Sequence, residues 1–380
     1  MVEKKVSKFQ IWVTALGFLG ILFGPSVAWV FCHGAVGNDT SENRKLAEMP
    51  EFGLGKISVF PKNFENFYND HVPFREGIIA TWAKLNYFGL HDSTSDGVTL
   101  GKTTNEDRDR WLFYSKATDY NPVNDAQGIL RYGPEMLRKT VKNMSKNEEY
   151  FKEKNIQFWY YIAPNKESVY KEYLPVEIYN DESRVEQLIT YVTKNGVERV
   201  GYVKNEIIDN KDKGQLYLKQ DTHWNELGAF YGYKALMNMI EPKYNDFSYE
   251  VLFPEYTVES SDLVRMIDIR DYFRDARPKV SYDKSESYEI VKNEWLGGDV
   301  GSFVVTENKN AKIDKKIMIV GDSFRTGLIP YLAKTFKQVV LLHRLSYNGS
   351  LLEEYKPDVV ISEAVERHAI VMGNYDFSTK

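Results

Sequence analysis

The chain has 380 residues, 43% of them hydrophobic and 27% charged, with a formal net charge of −5. That length can bury the core of one large domain or two modest ones. Lysines and acids are interspersed in a mildly acidic balance, which reads as a solvated surface and lacks the concentrated basic face that nucleic acid requires.

The first element is an uncharged apolar run over 9–32, with Trp12, Leu16, Phe18, Leu19, Ile21, Leu22, Phe23, Val27, Trp29 and Val30. Roughly 20 such residues in a helix cross a bilayer core. Lys4, Lys5 and Lys8 precede the run, and no charge follows it before Asp39. The positive-inside rule therefore predicts a cytoplasmic tail over 1–8, a transmembrane signal anchor over 9–32 and everything beyond it outside the cell membrane. A cleaved signal peptide is the competing reading; its core usually spans about 7–15 residues and ends in a small-x-small site, which is not evident here. Cys32 is the only cysteine and follows Phe31, so a lipoprotein site is not expected and no intramolecular disulfide can form.

Residues 33–56 have little periodicity and read as a tether. From 57 to 380 the sequence predicts one extracytoplasmic domain. Phe60, Phe64, Phe67 and Tyr68 share a helical face, and Ile78, Trp82, Leu85 and Phe88 repeat that spacing. His91 to Arg110 is polar and reads as a loop before the short strand Trp111 to Tyr114. A helix within 125–155, a buried strand over 157–162, a helix over 184–195 and a strand over 197–203 follow. Asn225 to Met239 is an amphipathic helix. Around 247–311 the pattern weakens into short β-like pieces, read as an irregular β-rich insertion beside the sheet. Strand 317–320, helix 328–336 and strands 339–342 and 359–362 complete the chain. Apolar strands alternating with helices predict an α/β fold, three layers deep, around a mostly parallel sheet.

Two segments carry chemistry. Lys316 to Val320 is a buried strand running into Gly321-Asp322-Ser323, and Asp221-Thr222-His223-Trp224 stands a hundred residues earlier. Serine, imidazole and carboxylate are the nucleophile, base and orienting acid of acyl transfer. A glycine permits a tight turn at the strand's end, and the start of the next helix offers free N–H groups to an oxyanion. Gly-Asp-Ser alone is also an ordinary strand-to-helix turn, and a histidine beside a tryptophan is commonly a packed residue. Asp70-His71 and His91-Asp92 offer weaker acid–imidazole pairs. No ligand spacing for a metal and no phosphate loop is seen, so neither metal nor cofactor is expected.

Together these segments resemble the SGNH-like polysaccharide O-acetyltransferases of the AlgJ and AlgX type, including Gram-positive relatives. Ordinary SGNH hydrolases carry the serine early and an Asp-x-x-His late; the reversed order and Asp-x-His spacing here are those of the acetyltransferase branch. Further likenesses run through the segments 163–170, with Pro164-Asn165-Lys166, and 67–75, and through Trp111 to Tyr114, Ser261-Asp262-Leu263, Pro330-Tyr331-Leu332 and Glu363 to Arg367. The resemblance implies an SGNH-hydrolase-like fold, with Ser323 as nucleophile, His223 as base and Asp221 orienting it. Gly321, Asp322, Asn165, Lys166, Arg325 and Trp224 are the further candidates for substrate or oxyanion contacts. It also implies a polysaccharide acceptor and, because acetyl-CoA is not expected outside the cell, a membrane-bound O-acyltransferase partner as acetyl donor. Thr222 stands in the second place of the family's acid-His-His-Trp form, where the first of its two histidines is usual, and the separate Gly and Asn blocks of SGNH hydrolases are not evident. A carbohydrate O-acetylesterase with the same triad and a non-catalytic glycan-binding assembly protein remain alternatives; 26 Tyr and seven Trp could stack on sugars or simply fill the core.

Overall fold

The computed structural model describes residues 7–32, 46–72, 75–244, 249–252, 257–258, 261–269, 272–275, 278–281, 288–297 and 300–379. The expected tail over 1–8 and tether over 33–56 lie largely outside these residues, as do parts of the 67–75 and 247–311 segments. Two compact units divide the chain, residues 1–91 and 92–380.

In the first unit a 25-residue helix, Lys8–Cys32, occupies the expected apolar run. Counted over the described residues, however, no helix is long and apolar enough to cross a membrane, so the structure leaves the expected transmembrane segment unestablished. Helices Phe60–Asp70 and Arg75–Lys84 follow, the second widening into a π-type turn over Leu85–Leu90.

The second unit is built on a seven-stranded sheet. Its strands are β1 (Gln157–Ala163), β2 (Val200–Tyr202), β3 (Glu289–Trp295), β4 (Ser302–Glu307), β5 (Ile313–Gly321), β6 (Phe336–His343) and β7 (Val359–Val365), in the spatial order β2-β1-β7-β5-β6-β4-β3. Pairings from β2 through β6 are parallel, while β6–β4 and β4–β3 are antiparallel. The sheet is therefore mixed, where the sequence predicts a mostly parallel one. The stretch read as a separate insertion supplies the two antiparallel strands. The β-like pieces expected there are strands, but Lys292 and Glu294 on the outermost one hide its place in the sheet, because an edge strand has little to bury.

Side-chain alternation divides the core into two halves. Ile317, Ile319, Leu341 and Ile361 meet one layer, which includes Leu227, Phe230 and Leu236 of helix Glu226–Ile240 and Leu332 of helix Ile329–Thr335. Met318, Val320, Val340 and Val360 meet the other, with Met144 and Phe151 of helix Pro134–Glu153 and Leu188 and Val192 of helix Arg184–Lys194. The latter helix begins with a capping box between Ser183 and Glu186. Leaving β5, the chain runs to β6 on one side and then returns to β7 on the other. The carboxyl end of β5 is thus a topological switch point, where open α/β sheets bind ligands. The polar stretch 91–110, expected as loop, contains strand Val98–Leu100, paired antiparallel with Leu112–Tyr114.

Candidate active site

Gly321 closes β5, and a Cβ there would lie 2.0 Å from Glu363 Oε2, so only glycine lets the buried Glu363 carboxylate approach. That oxygen accepts the Asp322 N–H at 2.9 Å. Asp322 in turn accepts the N–H of Phe324 at 3.1 Å on one carboxylate oxygen and that of Val365 at 2.8 Å on the other. Burial opposes the Asp322 charge, but the hydrogen bond and charge of His368, the Val365 N–H and Arg367 outweigh it and hold the carboxyl well below the usual range. Asp322 and Phe324 are buried while Ser323 between them is exposed. The turn therefore pushes one hydroxyl into solvent at the first residue of a 3₁₀ turn, Ser323–Leu328, where backbone donors lack intrahelical partners.

The opposing loop is anchored from both ends. Asn225 caps helix Glu226–Ile240 by accepting the Gly228 N–H, and its amide donates to Gln215 O. This fixes His223 two residues before the cap. Its Nδ1 lies 2.7 Å from Asp221 Oδ1 and its Nε2 2.7 Å from Ser323 Oγ; the Phe324 ring lies 5.1 Å from the imidazole, centroid to centroid. Burial disfavours the imidazolium, but the hydrogen bond and charge of Asp221, helped by Asp262, prevail and raise the His223 pKa. The Asp221 pKa is correspondingly held low: burial opposes its charge, and the His223 bond and charge overcome that.

Asp262 is a site residue that the sequence offered only as one member of a family-like string. Its carboxylate accepts the Thr222 N–H at 3.0 Å and the Thr222 hydroxyl at 2.5 Å, and its own N–H donates to Asp221 Oδ2 at 3.1 Å. Thr222 thus engages Asp262 rather than open solvent. Burial and the Asp221 charge raise the Asp262 pKa.

The remaining predicted contacts divide. Gly321 and Asp322 shape the nucleophile turn. Asn165 is buried; its Oδ1 accepts from Arg367 at 3.2 Å, and its side-chain amide nitrogen has no partner among the described residues. Lys166, expected near the substrate, is instead wholly buried and donates to the carbonyls of Leu218, Lys219 and Asp221 at 3.2, 2.8 and 2.6 Å. It braces the loop that carries Asp221. Arg325 is likewise enclosed, donating to the carbonyls of Gly321, Asp322, Val300 and Ser302. Trp224 packs against Phe324 with 5.1 Å between ring centroids. Lys166, Arg325 and Trp224 have one thing in common: their long or broad side chains find enough backbone and core within reach to satisfy them. The Asp119–His368 pair, at 2.9 Å, with His368 also 3.4 Å from Asp322, was not singled out by the sequence, because its members are 249 residues apart.

Residues 105–353 match the family model described as SGNH hydrolase-like domain, acetyltransferase AlgX. Among curated relatives, a probable alginate O-acetylase AlgJ of Pseudomonas putida is 25% identical over 237 residues, which cover 60% of this chain and 52% of that protein. A probable alginate O-acetylase AlgJ of Pseudomonas syringae pv. tomato is 23% identical over 333 residues, covering 81% and 78% respectively. The chain thus spans about half the length of the first relative and about three quarters of the second. The solved structure of Bacillus cereus PatB1 shares the fold, with a TM-score of 0.53 at 17% identity over 72% of this chain and 99% of that one.

Proposed function

Because the chain belongs to the AlgX family of SGNH hydrolase-like acetyltransferase domains, we propose that it is a serine-dependent O-acetyltransferase acting on a cell-surface or secreted polysaccharide. One observation carries this reading: Ser323 Oγ and His223 Nε2 are 2.7 Å apart, with Asp221 at 2.7 Å on the far side of the ring. That is hydrogen-bond reach for a base and its nucleophile.

In the first half-reaction His223 Nε2 takes the Ser323 proton as Oγ attacks the acetyl carbonyl of the donor. The tetrahedral intermediate expels the donor's oxygen, which leaves with that proton, and acetyl-Ser323 remains. In the second, His223 takes the proton of a sugar hydroxyl as its oxygen attacks the acetyl group. Serine leaves with the proton and the acetylated sugar is released. Asp221 orients the imidazole and stabilises its cation in both halves. The Ser323 N–H would be one oxyanion donor, and the unpartnered amide of Asn165 is our candidate for a second.

A membrane-bound O-acyltransferase would deliver the acetyl group from the cytoplasmic pool. The segment 9–32 would hold the domain beside it, with the N-terminus in the cytoplasm and the catalytic domain outside. Supporting the anchor is a helix over Lys8–Cys32 that leaves Phe9, Trp12, Leu16, Phe18, Leu22 and Phe31 exposed around its circumference; an apolar face that wide suits lipid better than water.

The direct test is mass spectrometry of the Ser323 peptide after incubation with p-nitrophenyl acetate. An acetyl adduct on that peptide, absent from Ser323→Ala, is the expected result; turnover with no adduct and undiminished by Ser323→Ala sinks the proposal. Acetylated oligosaccharide in the products separates transfer from hydrolysis.

The pH dependence follows from the raised His223 pKa. A base must be neutral to accept a proton, so activity is lost as pH falls through that pKa. The acid limb of kcat/KM is expected with its midpoint above 6.5, the ordinary histidine value. Asp221→Asn should move the limb to lower pH, since it removes the charge that favours the imidazolium. A wild-type midpoint at or below 6.5, unmoved in the variant, would contradict the assignment of His223.

A further inference from the structure

Registers across the sheet carry the nucleophile's end of β5 to an exposed tryptophan. Gly321 pairs with His343 in β6. Val304 pairs with Leu341, and continuing that antiparallel register by two residues sets Ser302 opposite His343. Ser302 pairs with Trp295 of β3. Gly321, His343, Ser302 and Trp295 therefore form one row at the end of the sheet where Ser323 is presented. Three strand spacings, about 14 Å, separate its first and last backbones.

The row also fixes the face. Opposed residues in paired strands share a face, and Val304, the partner of Leu341 and two residues after Ser302, belongs to the core half that holds helix Glu226–Ile240. Ser302 and Trp295 share that face with it, as does the helix that begins just after His223. Trp295 thus lies at the same end and on the same side of the sheet as the Ser323–His223 pair.

Two devices hold this end of the β3–β4 hairpin. The buried Arg325 guanidinium donates to Gly321 O and Asp322 O on the nucleophile turn and, through its other terminal nitrogen, to Val300 O and Ser302 O at 3.2 Å each. One side chain therefore ties the hairpin to the turn that carries Ser323. Gly301, with φ of +69°, accepts from the Leu296 N–H at 3.0 Å and donates to Gly297 O at 2.8 Å. A Cβ at Gly301 would come within 3.9 Å of the Trp295 ring, so the indole lies beside Gly301, and its side chain is 68% exposed. A large aromatic ring this exposed contributes little burial to the fold itself.

We propose that Trp295 is an acceptor subsite, a platform on which a pyranose ring of the polysaccharide stacks while a neighbouring residue of the same chain reaches Ser323. This rests on the acetyltransferase reading for the identity of the polymer as acceptor. The axial C–H groups of a pyranose give it an apolar face, and the electron-rich face of an indole attracts them. A separation of about 14 Å calls for an extended chain, so the subsite favours oligomers over single sugars.

Binding is measured by calorimetry on the full chain carrying Ser323→Ala, which removes turnover from the readout. Cellohexaose, chitohexaose and hexagalacturonate are the probes, with glucose, N-acetylglucosamine and galacturonate as their single-sugar controls. At least one hexaose is expected to bind more tightly than its monomer. Adding Trp295→Ala should weaken that hexaose about tenfold, and Trp295→Phe should restore most of the loss. Unfolding temperatures of the three proteins check that the exposed substitution leaves the fold intact. Equal hexaose affinity with and without Trp295 overturns the proposal, as does the absence of saturable binding to all three hexaoses. Loss of association with phosphatidylglycerol vesicles in Trp295→Ala, with hexaose binding unchanged, also overturns it and assigns the ring to lipid. Because these arms do not depend on Ser323, they fail separately from the acetyl-adduct experiment.

Discussion

Replacing His223 with alanine is expected to lower acetyl transfer by about 10³- to 10⁴-fold or more, and Ser323→Ala by at least as much. Each removes one end of the 2.7 Å contact between base and nucleophile. Without the imidazole, the Ser323 hydroxyl is a weak nucleophile at neutral pH; without the hydroxyl, no acetyl-enzyme can form. The two act as a unit, so the double variant should be scarcely worse than either single one. Transfer to an oligosaccharide acceptor, compared at saturating donor among the three variants, measures this. Multiplying losses would mean that His223 and Ser323 serve separate steps, and the common mechanism would have to be abandoned. Ser323 is exposed, so its removal should leave the unfolding transition almost unchanged, whereas His223→Ala also takes the partner from the Asp221 carboxylate and should lower stability modestly.

The second large effect is on stability. Lys166→Met is expected to cost about 3 kcal/mol or more, read as a lower urea midpoint at unchanged slope. Methionine keeps most of the volume but leaves the carbonyls of Leu218, Lys219 and Asp221 without their shared donor in a buried site. A buried acceptor left unsatisfied costs about 1–3 kcal/mol; Lys219 O keeps the Leu112 N–H at 3.0 Å, but the Leu218 and Asp221 carbonyls lose their donor, and two in one loop do not relax independently. Burial lowers the Lys166 pKa, against the charges of Glu167, Asp262, Asp221 and Asp275, so the ammonium is held by its surroundings rather than by water. The same substitution should reduce turnover, because the loop it releases carries Asp221. A destabilisation below about 1 kcal/mol would show that the carbonyls find other partners and that Lys166 is no brace.

How much of the second unit was readable from the string depended on burial. Lys316 to Val320 and Gln157 to Ile162 are continuous apolar runs because their strands are covered on both faces. The outer strand β3 is not covered, and with Glu289, Lys292 and Glu294 along it the segment reads as a short β-like piece beside the sheet rather than as one of its strands. That difference explains why the sheet's parallel portion was evident and its antiparallel edge was not. Helix Glu226–Ile240 was legible for a related reason: a polar cap at Asn225 is followed by apolar residues in helical spacing.

Within the site the same division follows chain distance. The pairing of Asp221 with His223 spans two residues, and a turn that short brings a carboxylate to its neighbour's ring through local geometry alone. Residue chemistry, the glycine before the serine and the family likeness could likewise be read along the chain. The approach of Ser323 to His223 across 100 residues, the clamp of Asp262 on Thr222 and the retreat of Lys166 and Arg325 into the backbone could not. Local periodicity and turn chemistry act over a few residues, whereas sheet order, register and the burial of each polar group are set when distant segments compete for the same partners. Composition and spacing determined which groups were available for the chemistry; packing of the mixed sheet decided which of them face the substrate and which hold the scaffold.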